Sequence, residues 1–307
     1  MSQQALARPV AVIGLGSMGF GVAQALVRGG FDVVGYDPRP DLMARLTAEG
    51  GRAAADPAAA VKGAAAVFCL VLNGQQTEQV LFGTEGCAAH MAPGAVFVSM
   101  ATLSPDIARD LAARLAATGI DYLDAPISGG SVKAAEGRLS VMGSGPPAAF
   151  DRIADMLNAV SQTLFRLGDQ PGQGSSFKAV NQLLAGVHIA VASEAMAFAA
   201  AQGLDLAEVY RVITLSAGNS WMFGDRMQRV LDNDYRPRSS TDIFVKDLGI
   251  VLDVAGARKL PLPIASAALQ MFLMTSAAGM GGDDDSSVAR FYAGLFGVSD
   301  IIGKSDA

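Results

Sequence analysis

Lys178 is the residue of this 307-residue chain around which chemistry assembles most readily. It stands in Gly172-Gln173-Gly174-Ser175-Ser176-Phe177-Lys178-Ala179-Val180-Asn181-Gln182, and helical spacings of three and four put Lys178, Asn181 and Gln182 on one face. His188, seven residues beyond Asn181, stacks on nearly the same stripe. One cation beside two amides is a poor core on a helix otherwise made of Ala, Val, Leu and Ile, and a sensible way to hold a small hydroxy acid. The competing readings are a solvated surface lysine at 178 and a packed or interface histidine at 188.

A second group, Asp124-Ala125-Pro126-Ile127-Ser128-Gly129-Gly130, follows a strand. Ser128 offers a hydroxyl, and Gly129 and Gly130 bare their backbone N–H groups to an incoming carboxylate. A plain turn of the same composition fits this piece equally well. A third group, Gly14-Leu15-Gly16-Ser17-Met18-Gly19, ends one strand and opens a helix. Gly14 permits the tight turn, Gly16 lets the backbone approach a pyrophosphate, and Gly19 lets the helix pack on the strand. The free N–H groups of the helix start favour phosphate. Asp37 ends the second strand 18 residues after Gly19. A carboxylate there accepts from ribose hydroxyls and repels a 2′-phosphate, which selects NAD over NADP. The alternative is that Asp37 only starts a turn with Pro38, and Arg39 nearby softens the discrimination.

These groups must be positioned by two kinds of element. Up to residue 168, short β-rich runs alternate with Ala/Leu helices, the sign of a Rossmann-type, doubly wound parallel sheet. The strands are expected at Val10–Ile13, Asp32–Tyr36, Val67–Leu72, Val96–Met100, Asp121–Asp124, Leu139–Met142 and Leu164–Leu167. The first helix is expected at Met18–Arg28 and another near Phe150–Leu157. From 169 to 307 strand-like runs almost vanish. Helices are expected at Gly174–Gln202, Leu206–Leu215, Met222–Leu231, Asp242–Ala257 and Ile264–Ala278, forming an all-α substrate and oligomerisation domain. Asp169–Gly174, with Pro171 and two glycines, reads as the hinge. Gly279–Asp285 reads as a loop whose three aspartates form a solvated turn rather than a metal site, and Ser299–Ala307 as a weakly ordered tail.

Composition narrows the classes further. Hydrophobic residues make up 51% and charged residues 17%, which supports a large core. A net charge of −6 argues against a general nucleic-acid binder. Cys69 and Cys87 give neither a disulfide framework nor a metal cluster, and Cys69 reads as a buried thiol. Met1–Pro9 has no leader-peptide pattern, and Ile189–Ala201 is interrupted by Ser193 and Glu194. The expectation is therefore a cytoplasmic protein with no membrane partner.

In order along the chain, the GLGSMG loop, the DAPISGG loop, the GQGSSFKAVNQ helix start and Phe244-Val245-Lys246-Asp247-Leu248 resemble the β-hydroxyacid dehydrogenases. That group contains 3-hydroxyisobutyrate dehydrogenase and tartronate semialdehyde reductase, and the resemblance covers nearly the whole chain. It implies NAD-dependent oxidation of a small hydroxy acid. Ser128, Gly129 and Gly130 would hold the substrate carboxylate, and Lys178 would be the general acid/base. Lys246 would lie near the nicotinamide ribose and substrate, and Thr102 on the nicotinamide side of the cofactor. Leu72, at the end of its strand, joins the cofactor set with Gly14, Leu15, Gly16, Ser17, Met18, Gly19 and Asp37. Without the resemblance, Lys246-Asp247 is an ordinary charge pair on a helix surface.

The family usually carries paired asparagines where this chain has Asn181 and Gln182. Within the family, Asn181-Gln182-Leu183-Leu184-Ala185-Gly186-Val187-His188 is most similar to the branch that oxidises L-threonate. That similarity implies oxidation of a four-carbon sugar acid at C2, with Gln182 and His188 as partners for the extra hydroxyls. The rivals are 3-hydroxyisobutyrate or tartronate semialdehyde chemistry, and a non-catalytic NAD-binding interaction protein, which an altered lysine would mark. An ordinary lysine titrates near about 10.4 and is a poor base at neutral pH. Burial, the positive cofactor ring and Lys246 are expected to lower Lys178. Trp221, Phe223 and Met271–Met274 read either as helix surfaces buried between subunits or as a single core within one subunit, and the habit of the family favours a homodimer or homotetramer.

Overall fold

The computed structural model describes residues 9–298, so the readings of the first eight residues and of Ser299–Ala307 fall outside the described residues. The chain divides into two compact units, Met1–Lys178 and Ala179–Ala307.

In the first unit the strands are β1 (Val10–Ile13), β2 (Val33–Tyr36), β3 (Arg52–Ala53), β4 (Ala66–Cys69), β5 (Val96–Ser99) and β6 (Asp121–Asp124). Helices α1 (Ser17–Arg28), α2 (Pro40–Ala48), α3 (Pro57–Ala60), α4 (Gly74–Phe82) and α5 (Pro105–Ala116) connect them. All neighbours pair in parallel in the order β3-β2-β1-β4-β5-β6, so the chain reverses its winding beside β1. Both faces of the sheet are covered. Val10 and Val12, with Phe68 and Val98, enter one apolar cluster; Ala11 and Ile13, with Val67 and Phe97, enter the other. This double burial makes the strands near-continuous apolar runs.

Register brings the strand ends to one edge. Ile13 pairs with Tyr36 and Cys69, Cys69 with Ser99, and Ser99 with Asp124. The segments that follow therefore leave the same side of the sheet, where ligands bind in open α/β folds.

The end of the unit departs from a single extended sheet. β7 (Ile127–Ser128), β8 (Leu139–Gly143) and β9 (Ser161–Arg166) form a separate three-stranded mixed sheet, with α6 (Gly130–Ala135), α7 (Pro147–Arg152) and α8 (Ala154–Val160) between them. The first compact unit runs on to Lys178. The first turn of α9 (Gln173–Ala201) is hydrogen-bonded to the end of β6, which holds it in the first unit.

The second unit contains the rest of α9 with α10 (Leu206–Thr214), α11 (Trp221–Leu231), α12 (Thr241–Gly256), α13 (Pro263–Thr275) and α14 (Val288–Phe296). Its core joins Ile189 and Met196 of α9 to Phe223, Met227, Phe244, Leu248, Phe272 and Val288. Phe244 stacks on Phe272 at 5.1 Å between ring centres. Phe223 is thus a core residue, whereas Trp221 is exposed. α9 and Pro263–Met280 are long and apolar enough to cross a membrane by length and composition. In α9 much of that apolar character serves the core, with Ile189, Met196 and Ala197 fully buried.

Two of the three aspartates are not solvated, and only Asp283 stays partly exposed. Asp284 and Asp285 are fully buried. Asp285 takes a two-pronged contact from Arg226, at 2.5 and 2.9 Å, and Asp284 accepts from Arg229 at 2.9 Å. Two arginines of α11 supply the compensating charge that makes this burial tolerable.

Candidate active site

The glycine loop leaves β1 with each glycine under a different constraint. Gly14 has φ +88°, and a Cβ there would sit 2.7 Å from the Leu70 carbonyl oxygen. A Cβ on Gly19 would collide with the Gly14 carbonyl oxygen. At Gly16 the nearest protein atom to such a Cβ is the Arg39 guanidinium at 3.7 Å. The protein's own atoms therefore do not require glycine at 16, and the backbone there is open to the approach of a ligand. Leu15, Ser17 and Met18 complete the loop and the start of α1, so these residues fit a dinucleotide pyrophosphate.

Asp37 follows β2 and is buried beside that loop. It accepts the Leu15 N–H at 2.8 Å, the Arg39 N–H at 3.0 Å, and the Arg39 guanidinium at 2.9 and 3.1 Å. Burial pushes its carboxyl up, but the Arg39 side chain and these backbone donors outweigh that and hold it below the ordinary carboxylate range. Asp37 therefore does more than start a turn with Pro38, because its carboxylate braces the glycine loop through the Leu15 N–H. Leu72 and Thr102 lie in the segments after β4 and β5; Leu72 is 47% exposed and Thr102 half-buried.

Lys178 is buried, at 7% exposure, and so is not a solvated surface lysine. Its Nζ donates to the Ile127 carbonyl at 2.8 Å. Ile127 lies in β7 immediately before Ser128, so the ammonium and the Ser128-Gly129-Gly130 loop are held together. Gly129 and Gly130 take φ of +142° and +77°, conformations that side chains disfavour.

The start of the helix that carries Lys178 is anchored by Asp124, a residue that no motif role singles out. Its buried carboxylate accepts the Gly172 N–H at 2.9 Å, the Ser175 N–H at 2.8 Å and the Ser175 hydroxyl at 2.7 Å. Ser144 adds a contact to the same carboxylate and accepts the Gly174 N–H at 2.9 Å. Burial pushes the Asp124 carboxyl up against the opposing pull of these donors. An acidic residue closing a buried strand was the available signal.

Asn181 and Gln182 follow one turn along α9. Asn181 Nδ2 donates to Gln182 Oε1 at 2.8 Å, and Gln182 Nε2 donates to Asp247 Oδ2 at 2.5 Å. Lys246 pairs with the other Asp247 oxygen. Asp247 is 2% exposed, so Lys246-Asp247 is not an ordinary surface pair. His188 is half-buried further along α9. Among the described residues no group of three or more His, Cys, Asp or Glu is arranged to hold a metal.

Residues 9–168 match the family described as the NAD binding domain of 6-phosphogluconate dehydrogenase. Residues 172–292 match the NAD-binding family of NADP-dependent 3-hydroxyisobutyrate dehydrogenase. A curated L-threonate dehydrogenase of Cupriavidus necator is 50% identical over 290 residues, covering 94% of this chain and 98% of that protein. The L-threonate dehydrogenase of Escherichia coli K12 is 47% identical, covering 93% and 95% respectively. A crystal structure from Salmonella typhimurium, described as 3-hydroxyisobutyrate dehydrogenase, is 49% identical with a TM-score of 0.88, covering 92% of this chain and 99% of that one.

Proposed function

As the chain belongs to the β-hydroxyacid dehydrogenase family, NAD-dependent oxidoreductases acting on small hydroxy acids, we propose that it oxidises L-threonate at C2 to the 2-oxo acid. Bound NAD supplies the hydride acceptor. Ser128 and the backbone N–H groups of Gly129 and Gly130 receive the substrate carboxylate. Lys178 Nζ takes the C2 hydroxyl proton as the C2 hydrogen leaves with its electron pair, and returns a proton in reduction. Asn181 and His188 are taken as the partners of the remaining hydroxyls, and Lys246 joins the cofactor-binding residues. Gly14, Leu15, Gly16, Ser17, Met18, Gly19, Asp37, Leu72 and Thr102 hold the cofactor.

The observation that carries this reading is the 2.8 Å contact from Lys178 to Ile127, which seats the proton-transferring group one residue from the carboxylate loop. The choice of L-threonate is supported by the relatives that carry that name. The name on the Salmonella structure makes 3-hydroxyisobutyrate the second reading. Formation of reduced nicotinamide from L-threonate, D-threonate, 3-hydroxyisobutyrate and glycerate, each with NAD and NADP, tests both. Turnover of L-threonate with NAD is expected; turnover of 3-hydroxyisobutyrate alone would replace the substrate and leave the mechanism standing.

We further propose that the protein works in the cytoplasm as a homo-oligomer. Val180, Leu184, Val191 and Phe198 are 49–62% exposed on one helix, and the last three recur every seven residues. That is the repeat by which one helix seats another, and a second copy of α9 offers the same row about a two-fold axis.

A further inference from the structure

We propose that Gln182 is a positioning residue, which fixes Asn181 so that its carbonyl oxygen faces substrate hydroxyls. The inference deepens the sugar-acid reading above and rests on it. An asparagine amide offers a donor on one side and an acceptor on the other, and turning it over exchanges them. Here that freedom is removed from a distance. Asp247 is buried and its carboxylate only accepts. Gln182, 2.5 Å away, must therefore present its NH2 to Asp247, which leaves Oε1 facing the other way. Asn181 Nδ2 lies 2.8 Å from that oxygen and must present its own NH2 to it. The carbonyl Oδ1 of Asn181 is then the polar atom outside the relay. Through two amides, a buried negative charge becomes a fixed acceptor on the helix face that carries Lys178.

An acceptor recognises groups that donate. It favours an added hydroxyl over a methyl or a second carboxylate, because a polar group with no partner loses binding. The amide of Gln182, spent on Asp247 and Asn181, then shapes specificity without touching substrate. The identity of residue 182 matters for reach: an asparagine is one methylene shorter and cannot keep both contacts. Lys246, paired to the other Asp247 oxygen, makes that carboxylate a shared anchor.

The test compares kcat/KM for two pairs, L-threonate against 2-hydroxybutyrate and glycerate against lactate, in the wild type and in Gln182→Asn and Gln182→Leu. Any general loss of activity cancels in each ratio. The wild type should prefer the hydroxylated member of a pair by at least about tenfold. Both variants should reduce that preference several-fold, mainly through the KM of the hydroxylated substrate. Poor L-threonate turnover with a glycerate preference that falls in the variants would sink the four-carbon assignment and keep the relay. Wild-type preferences that survive both variants within twofold, or no preference in either pair, would overturn the relay.

Discussion

Asp37 and Asp124 lie in the same unit, yet their surroundings push their protons in opposite directions. Asp37 is held below the ordinary range despite its burial, whereas burial dominates at Asp124. A depressed folded-state pKa contributes stability above the unfolded value, near about 3.9, and that contribution is lost as pH falls through the folded value. The acid limb of the wild-type stability curve should therefore flatten in Asp37→Ala, as followed by thermal unfolding across acidic pH. The same substitution removes the acceptor for Leu15 N–H. With about 1.5–3 kcal/mol for a hydrogen bond to a charged group, NAD affinity should fall roughly tenfold to a hundredfold, with weaker discrimination against NADP. Calorimetric titration of both cofactors measures this. At Lys178, substitution by alanine should lower kcat/KM by roughly 10²–10⁴-fold while NAD still binds. The basic group that governs the wild-type pH–rate profile should vanish with it; a residual profile of unchanged shape would assign proton transfer elsewhere.

At the scale of elements, the strut from β6 to α9 is what converts a sheet edge into a lysine position. Asp124→Ala leaves two backbone N–H groups and the Ser175 hydroxyl without their acceptor. Each buried donor left unpaired costs about 1–3 kcal/mol, so urea midpoints should drop clearly, and Asp124→Asn should recover part of the loss. In the second unit, Arg226→Met strands Asp285 as a buried charge, and a loss of about 3–5 kcal/mol is expected in denaturant unfolding. These two sites also show what sequence reveals. The glycine loop is legible because it links β1 directly to α1 in one short stretch of chain, and β1 because its residues are apolar on both faces. The burial of Asp284 and Asp285 is not legible because a charge run is normally solvated, while the arginines that pair with them are more than fifty residues away in sequence. β3 and β7 are two-residue strands whose existence depends on a partner, so no local pattern announced them. Lys178, Asn181 and Gln182 were readable as one helix face, but the relay to Asp247 is tertiary.

For the whole molecule, the exposed row on α9 decides the proposed association. Between residues 179 and 201 the only charged side chain is Glu194, so most of this stretch presents little that water would hold in place. An apolar row of this length on a lone chain is a binding surface or an aggregation hazard. A two-fold pairing of the same row buries each member against its like, without the open-ended growth of a head-to-tail contact. Light scattering on the purified protein should give a mass of two or four chains. In Leu184→Glu combined with Val191→Glu, pairing would bury carboxylates in an apolar seam, and the mass should fall to that of one chain. Both positions are about half exposed in the single chain, so folding of the monomer should change by less than about 1 kcal/mol in total. Retained circular dichroism with a halved or quartered mass identifies α9 as the contact. An unchanged oligomer would move the interface to another face, and a monomeric wild type would remove it altogether.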